Sequence, residues 1–262
     1  MNYNFLIPKA ELSCDKRNLA LIKLLKLKDN VYTLNSAEEM LGIENPIVIL
    51  PFFIQDEVAA SFLKNLDDGS QVFGGHEGEI CRSIINSKNL SYVNILNEEQ
   101  FCKENALITA EATLALIINA TDTTLYSMRV AVFGYGRIGQ RLTRMLLSLG
   151  ATVRVFSSSD EELTRAKTQG ISACHLWQRE SMDIFHTVVN TIPLRHVINQ
   201  ETLSQLNENV YILDLASGEN NVDWKAMNTF TLHGERAGSL PAKVSPKSAA
   251  LAVKNAIFRH LN

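Results

Sequence analysis

The chain has 262 residues, 46% of them hydrophobic, enough to bury the core of one large domain or two modest ones. Its 25 basic and 28 acidic residues leave a net charge of -3 and are mixed along the chain, which excludes a cationic field for nucleic acid or an anionic membrane surface. No apolar run approaches the roughly 20 residues that span a bilayer, and "MNYNFLIPKAELSCDKRN" has neither a basic n-region nor a long apolar h-region, so a soluble cytoplasmic protein is expected. Cys14, Cys81, Cys102 and Cys174 form no CxxC pair and have no histidine at metal-ligand spacing; inert thiols in a reducing compartment, and no metal, are expected.

In chain order, short β-rich runs alternate with amphipathic helical stretches, the pattern of parallel sheets covered by helices. "NFLI", "NVYTL", "PIVIL", "SQVF" and "SYVNI" predict the strands of a first unit, with Leu19, Ile22 and Leu25 as the apolar stripe of the helix between the first two. Residues 98–121 predict one long apolar helical segment, with a break near 107–109 left open. Beyond it "RVAVF", "TVRVF", "TVVNTI" and "YILDLA" predict strands, and residues 139–149, 161–169 and 201–206 predict helices. The expected fold is α/β, with two Rossmann-like doubly wound parallel-sheet domains joined by a long helix. Residues 1–105 form a flavodoxin- or Rossmann-like substrate domain, 106–245 a dinucleotide-binding Rossmann domain, and 246–262 a C-terminal helix packing back on the first domain.

"RVAVFGYGRIGQRL" carries the most specific signal. Its GxGxxG follows an apolar strand, opens a helix striped by Leu142, Met145, Leu146 and Leu149, and leads through Gly150 to a second strand, so the whole βαβ unit is present. Gly134 permits the tight turn, Gly136 lets a pyrophosphate approach the backbone, and Gly139 lets helix and strand pack closely. The helix N-terminus adds donors and partial positive charge. The cofactor-binding set is therefore Gly134, Tyr135, Gly136, Arg137, Ile138 and Gly139, with Arg137 able to reach a phosphate. At the end of the second strand an NAD enzyme carries Asp or Glu, but "VRVFSSSDEEL" places Ser157, Ser158 and Ser159 there. Ser159 with Glu162 fits a capping box, which makes Asp160 a first-turn helix residue. A strand end without a carboxylate, lined with hydroxyls, favours NADP while leaving NAD possible.

"VAVFGYGRIGQ", "VNTIP", "ILDLAS" and "LPAKVSPKSAA", in this order, resemble the family of the A subunit of bacterial dipicolinate synthase. The resemblance spans nearly the whole chain and is closer from Thr109 onward. It implies an NADP-linked oxidation of a cyclic dihydrodipicolinate-type dicarboxylate to the pyridine dicarboxylate of bacterial endospores, with the flavodoxin-like B subunit of that synthase as partner. The glycine motif alone also suits D-2-hydroxyacid dehydrogenases, which share the two-domain layout. Three departures fall at the expected cleft: Gly218 stands where the family has an arginine, Ala242 replaces a glycine, and "LITAEAT" keeps Glu111 of a Pro-Thr-x-Glu-Gly pattern but loses the proline and glycine.

Open parallel sheets bind ligands at the carboxyl ends of their strands. Asn190, Thr191 and Pro193 end one strand, and Asp214, Ala216 and Ser217 end the next, so these are expected near the nicotinamide. Oxidation of a dicarboxylate needs a hydride acceptor, a proton acceptor and an anion clamp. Arg236, Lys243 and Lys247 are the candidate clamp, Lys247 lying in the matched Pro-Lys-Ser-Ala segment. Gly74 and Gly75 can offer backbone N–H groups. Glu111 and His76 are the base candidates, with His233 a weaker one, and Ser217 and Lys247 complete the catalytic set. A dehydrogenase of another small carboxylate, or a nucleotide-binding regulatory protein with a decayed site, are the alternatives. A homo-oligomer is possible on this reading, and neither nucleic acid nor membrane is expected as a partner.

Overall fold

The computed structural model describes residues 2–9, 15–40, 42–75, 77–178 and 181–261. Cys14 and His76 lie outside the described residues. The chain divides into two compact units, Met1–Asn105 with Pro241–Asn262, and Ala106–Leu240.

The first unit holds β1 (Asn4–Pro8), β2 (Asn30–Leu34), β3 (Ile47–Ile49), β4 (Gln71–Gly74) and β5 (Ser91–Asn94), with helices α1 (Lys16–Leu25), α2 (Asp56–Lys64) and α3 (Glu79–Ser87). All pairings are parallel and the order is β2-β1-β3-β4-β5, the arrangement of flavodoxin-like folds. Parallel strands covered on both faces are apolar without alternation, as Phe5, Leu6 and Ile7 and again Ile47, Val48 and Ile49 show by their burial.

Helix α4 (Glu99–Ala120) contains the boundary between the units and runs without a break. It has neither Gly nor Pro, the residues that would interrupt it. The second unit then holds β6 (Arg129–Phe133), α5 (Arg137–Ser148), β7 (Thr152–Ser157), α6 (Asp160–Thr168), β8 (Ser172–His175), β9 (Thr187–Asn190), α7 (Gln200–Ser204), β10 (Tyr211–Asp214), α8 (Trp224–Thr229) and β11 (His233–Arg236). Its strands, all parallel, run β11-β10-β9-β6-β7-β8; counted from β6, this is the 3-2-1-4-5-6 order of dinucleotide-binding sheets. Val130 and Val132 of β6 pack with Ala110, Ala112 and Ile117 of α4 and Leu142 and Leu146 of α5. Ala131 and Phe133 point to the other face, toward Leu203 of α7 and Met227 of α8. Alternation along one strand thus builds both cores.

The short helix α9 (Leu240–Val244) and the final helix α10 (Pro246–Leu261) close the chain, and α10 packs on α1. The expected stripe on α1 is displaced. Leu19 is 55% exposed, and Arg17, Asn18, Leu21 and Leu25 form the buried face. Arg17 is admitted because Asp15 neutralises it through a bidentate contact of 2.6–2.9 Å and its guanidinium lies 4.7 Å from the centre of the Phe52 ring. No helix among the described residues is long and apolar enough to cross a membrane, and no group of three His, Cys, Asp or Glu there is placed to hold a metal ion.

Candidate functional site

The strand order of the second unit reverses between β6 and β9, and the chain leaving each strand meets the other. Gly134 follows β6 with φ +95°, and its N–H donates to the Phe156 carbonyl at 2.7 Å. A Cβ on Gly134 would strike Thr191 Oγ1, which donates to the Phe133 carbonyl at 2.9 Å. A Cβ on Gly139 would strike the Gly134 carbonyl oxygen. Gly136 differs: the nearest atom to its would-be Cβ is Glu162 Oε1 at 3.7 Å. Two glycines therefore serve the chain's own packing, and the third borders open space.

Helix α5 begins at that space, with Gly136 as an N-cap that brings no side-chain hydrogen bond. Its N-terminal donors and dipole meet the same opening. This is the geometry a pyrophosphate requires: a glycine without a side chain, next to a helix start. Arg137 is exposed, and Ile138 is partly buried against the core. Tyr135 is buried among Val155, Ala166 and Ile171, with its hydroxyl donating to Gln169 Oε1 at 3.0 Å. It anchors the loop by its ring and offers only backbone toward a ligand.

The end of β7 departs from the sequence expectation. Ser159 caps α6 by accepting the Glu162 N–H at 3.3 Å, but the reciprocal half of the capping box is absent. The Ser159 N–H donates to Ser157 Oγ at 3.1 Å, and the Glu162 carboxylate turns to the glycine loop. There Glu162 Oε2 accepts from Ser157 Oγ at 2.6 Å and from the Tyr135 N–H at 2.9 Å. The strand end is not free of carboxylate. The sequence alone assigns Glu162 to the capping box, because its spacing from Ser159 satisfies a cap equally well. Ser158 is exposed.

Beside the loop, Asn190 and Asp214, partners in the register of β9 and β10, are both buried. Asn190 Nδ2 donates to Asp214 Oδ1 at 2.8 Å, and Asn221 Nδ2 donates to Asp214 Oδ2 at 3.2 Å. The Ala216 N–H reaches Asp214 Oδ1 at 3.3 Å. Asp214 thus braces the strand ends and the turn after β10. Asn221, which the sequence did not single out, also donates to the Ser217 carbonyl at 3.2 Å. Pro193 and Ser217 are exposed past their strands. Arg236, the last residue of β11, donates to the carbonyl of Gly218, whose φ is +89°. A guanidinium therefore stands at the turn where Gly218 itself carries no side chain. Glu111 and His233 are exposed on α4 and β11.

The other candidates belong to the first unit. Lys243 and Lys247 are exposed on α9 and α10. Gly74 and Gly75 are glycines because the Tyr92 hydroxyl and the Phe52 backbone would meet a Cβ at 2.5 and 3.2 Å. Gly75 lines a cavity of about 300 Å³ with Asp56, Glu77, Cys81 and Tyr92. Its charged lining is acidic, and Asp56 accepts the Ile80 and Cys81 N–H groups at 2.9 and 3.1 Å, so the start of α3 is already satisfied by a carboxylate. Burial pushes the Cys81 thiol up to about 12, which makes it unreactive.

Residues 101–239 match the family model of the D-isomer specific 2-hydroxyacid dehydrogenase NAD binding domain, and the chain belongs to that family. Within this class it is similar to the A subunit of dipicolinate synthase from Bacillus subtilis, 30% identical over 191 residues that cover 72% of this chain and 64% of the relative. The match thus spans less than two thirds of that protein's length. The crystal structure of the corresponding dipicolinate synthase protein from Bacillus halodurans shares the fold at a TM-score of 0.80 and 20% identity, over 99% of this chain and 97% of that one. Salmonella D-lactate dehydrogenase shares it at a TM-score of 0.70 and 13% identity, over 99% and 96%.

Proposed function

We propose that this protein is a nicotinamide-dependent oxidoreductase that converts a cyclic dihydrodipicolinate-type dicarboxylate to the aromatic pyridine dicarboxylate, in the manner of the dipicolinate synthase relative. The observation that carries the cofactor half is the open space at Gly136, framed by the tightly packed Gly134 and Gly139 in a sheet of dinucleotide-binding order. The loop accommodates the pyrophosphate of NADP or NAD. When bound, the nicotinamide supplies the hydride acceptor.

The substrate half rests on the resemblance and on Arg236. Its guanidinium, tethered to the Gly218 carbonyl, supplies from β11 the cation that the turn after β10 lacks, and arginine suits a carboxylate by its paired donors. Lys243 and Lys247 are the cations of the other unit. The acidic cavity at Gly75 is less suited to an anion than Arg236 is. Ring aromatisation releases one proton with each hydride; Glu111, Ser217 and His76 are the groups proposed to handle it.

The reading is tested by supplying freshly generated dihydrodipicolinate precursor with NAD or NADP, with and without the flavodoxin-like partner. One reduced nicotinamide per pyridine dicarboxylate formed supports it. Reduction of the cofactor by D-2-hydroxy acids alone supports a dehydrogenase of another small carboxylate, the reading that the matched family favours.

A further inference from the structure

The Ser157 hydroxyl at the end of β7 is not the free phosphate donor that the sequence suggests. A serine hydroxyl has one proton. That of Ser157 is given to Glu162 Oε2 at 2.6 Å, while Ser157 Oγ accepts the Ser159 N–H at 3.1 Å. The same Oε2 takes the Tyr135 N–H at 2.9 Å, and Oε1 lies 3.7 Å from where a Cβ on Gly136 would stand. Glu162, from the first turn of α6, is therefore pinned to the glycine loop and to the end of the second strand at once. The one arginine of α6, Arg165, pairs with Glu161 instead.

In this sheet order the ribose next to the adenine lies between the glycine turn and the end of the second strand. Resting on the reading of this loop as a dinucleotide site, we propose that Glu162 is a specificity-determining residue that selects NAD over NADP. Its carboxylate accepts the neutral 2′- and 3′-hydroxyls of the ribose; a 2′-phosphate would bring like charge against it in the same space. The acid comes from the following helix instead of the strand end itself, so its position in the sequence hides its role.

Calorimetric titration of the full chain with NAD and with NADP, repeated for Glu162→Gln and Ser157→Ala, tests this. The wild type is expected to bind NAD at least tenfold more tightly than NADP. Glu162→Gln keeps an acceptor for Ser157 but removes the charge, and is expected to cut that ratio at least tenfold, mainly through tighter NADP binding. Ser157→Ala, which frees the carboxylate, is expected to lower the ratio less. Equal or tighter NADP binding by the wild type overturns the proposal, as does an unchanged ratio in Glu162→Gln. Failure of the wild type to bind either dinucleotide overturns the cofactor reading and the proposal with it. If Glu162→Gln fails to fold, Ser157→Ala carries the test of the residue, and a wild type that prefers NADP overturns the proposal without any variant.

Discussion

The glycines at 134, 136 and 139 meet three different neighbours, and their substitutions separate fold from ligand. An alanine at Gly139 places a methyl group against the Gly134 carbonyl, a backbone atom that cannot rotate away. Gly139→Ala should therefore cost about 2–3 kcal/mol, in the upper range for single substitutions, seen as a lower denaturation midpoint. An unchanged midpoint would mean that α5 approaches β6 less closely than described. Arg236 is the residue proposed to hold the substrate. Arg236→Ala should raise KM for the dicarboxylate by tenfold or more, about 1.4 kcal/mol, while the dinucleotide Kd stays within twofold (roughly 0.4 kcal/mol). Equal losses for both ligands would place Arg236 in the fold of the turn instead of the substrate pocket.

At the scale of elements, two carboxylates hold segments that strands and helices alone leave loose. Asp214 joins β9, β10 and the turn to Asn221. Asp214→Ala strands buried amide donors of Asn190 and Asn221 and should cost on the order of 3 kcal/mol, measured by unfolding; a loss under about 1 kcal/mol would show that water replaces it. Asp56 caps the start of α3, and the Cys81 thiol, then the N–H groups of Ile80, Cys81 and Gly78, hold its carboxyl below the ordinary range against an opposing burial effect. A depressed carboxyl stabilises the fold above its unfolded value of about 3.9, and the contribution fades as pH falls through the lower folded value. Wild type should exceed Asp56→Asn in stability at neutral pH, with the gap closing below about pH 4. A gap independent of pH would contradict the capping role.

These elements also show what was legible in the sequence. Buried parallel strands announce themselves as unbroken apolar runs, which is why β6 and β9 could be read directly. The strands β8 and β11, "SACH" and "HGER", were missed: each lies at an edge of its sheet, pairs on one side only and carries polar residues. The buried face of α1 was misplaced because its charge is cancelled by Asp15, a tertiary compensation that apolar periodicity does not register. Glu162 was visible in the sequence but assigned to a cap. Only the paths of Tyr135 and Ser157 show where its carboxylate goes.

Taken whole, the molecule is two parallel α/β units with different strand orders, β2-β1-β3-β4-β5 and β11-β10-β9-β6-β7-β8; the alternation of strand and helix marks both sheets as parallel but does not fix either order. Its function rests on one claim, that the second unit binds a nicotinamide dinucleotide at the opening beside Gly136. That glycine is the one of the three whose substitution leaves the chain's own packing alone, since beyond its chain neighbours the nearest atom to its would-be Cβ is Glu162 Oε1 at 3.7 Å. The most direct measurement is calorimetric titration of the wild type and of Gly136→Val with NAD and NADP, alongside their thermal unfolding. The account predicts saturable one-to-one binding of a dinucleotide by the wild type and none by the variant, at the same unfolding temperature. A variant that titrates like the wild type, or a wild type that binds neither dinucleotide, would contradict it.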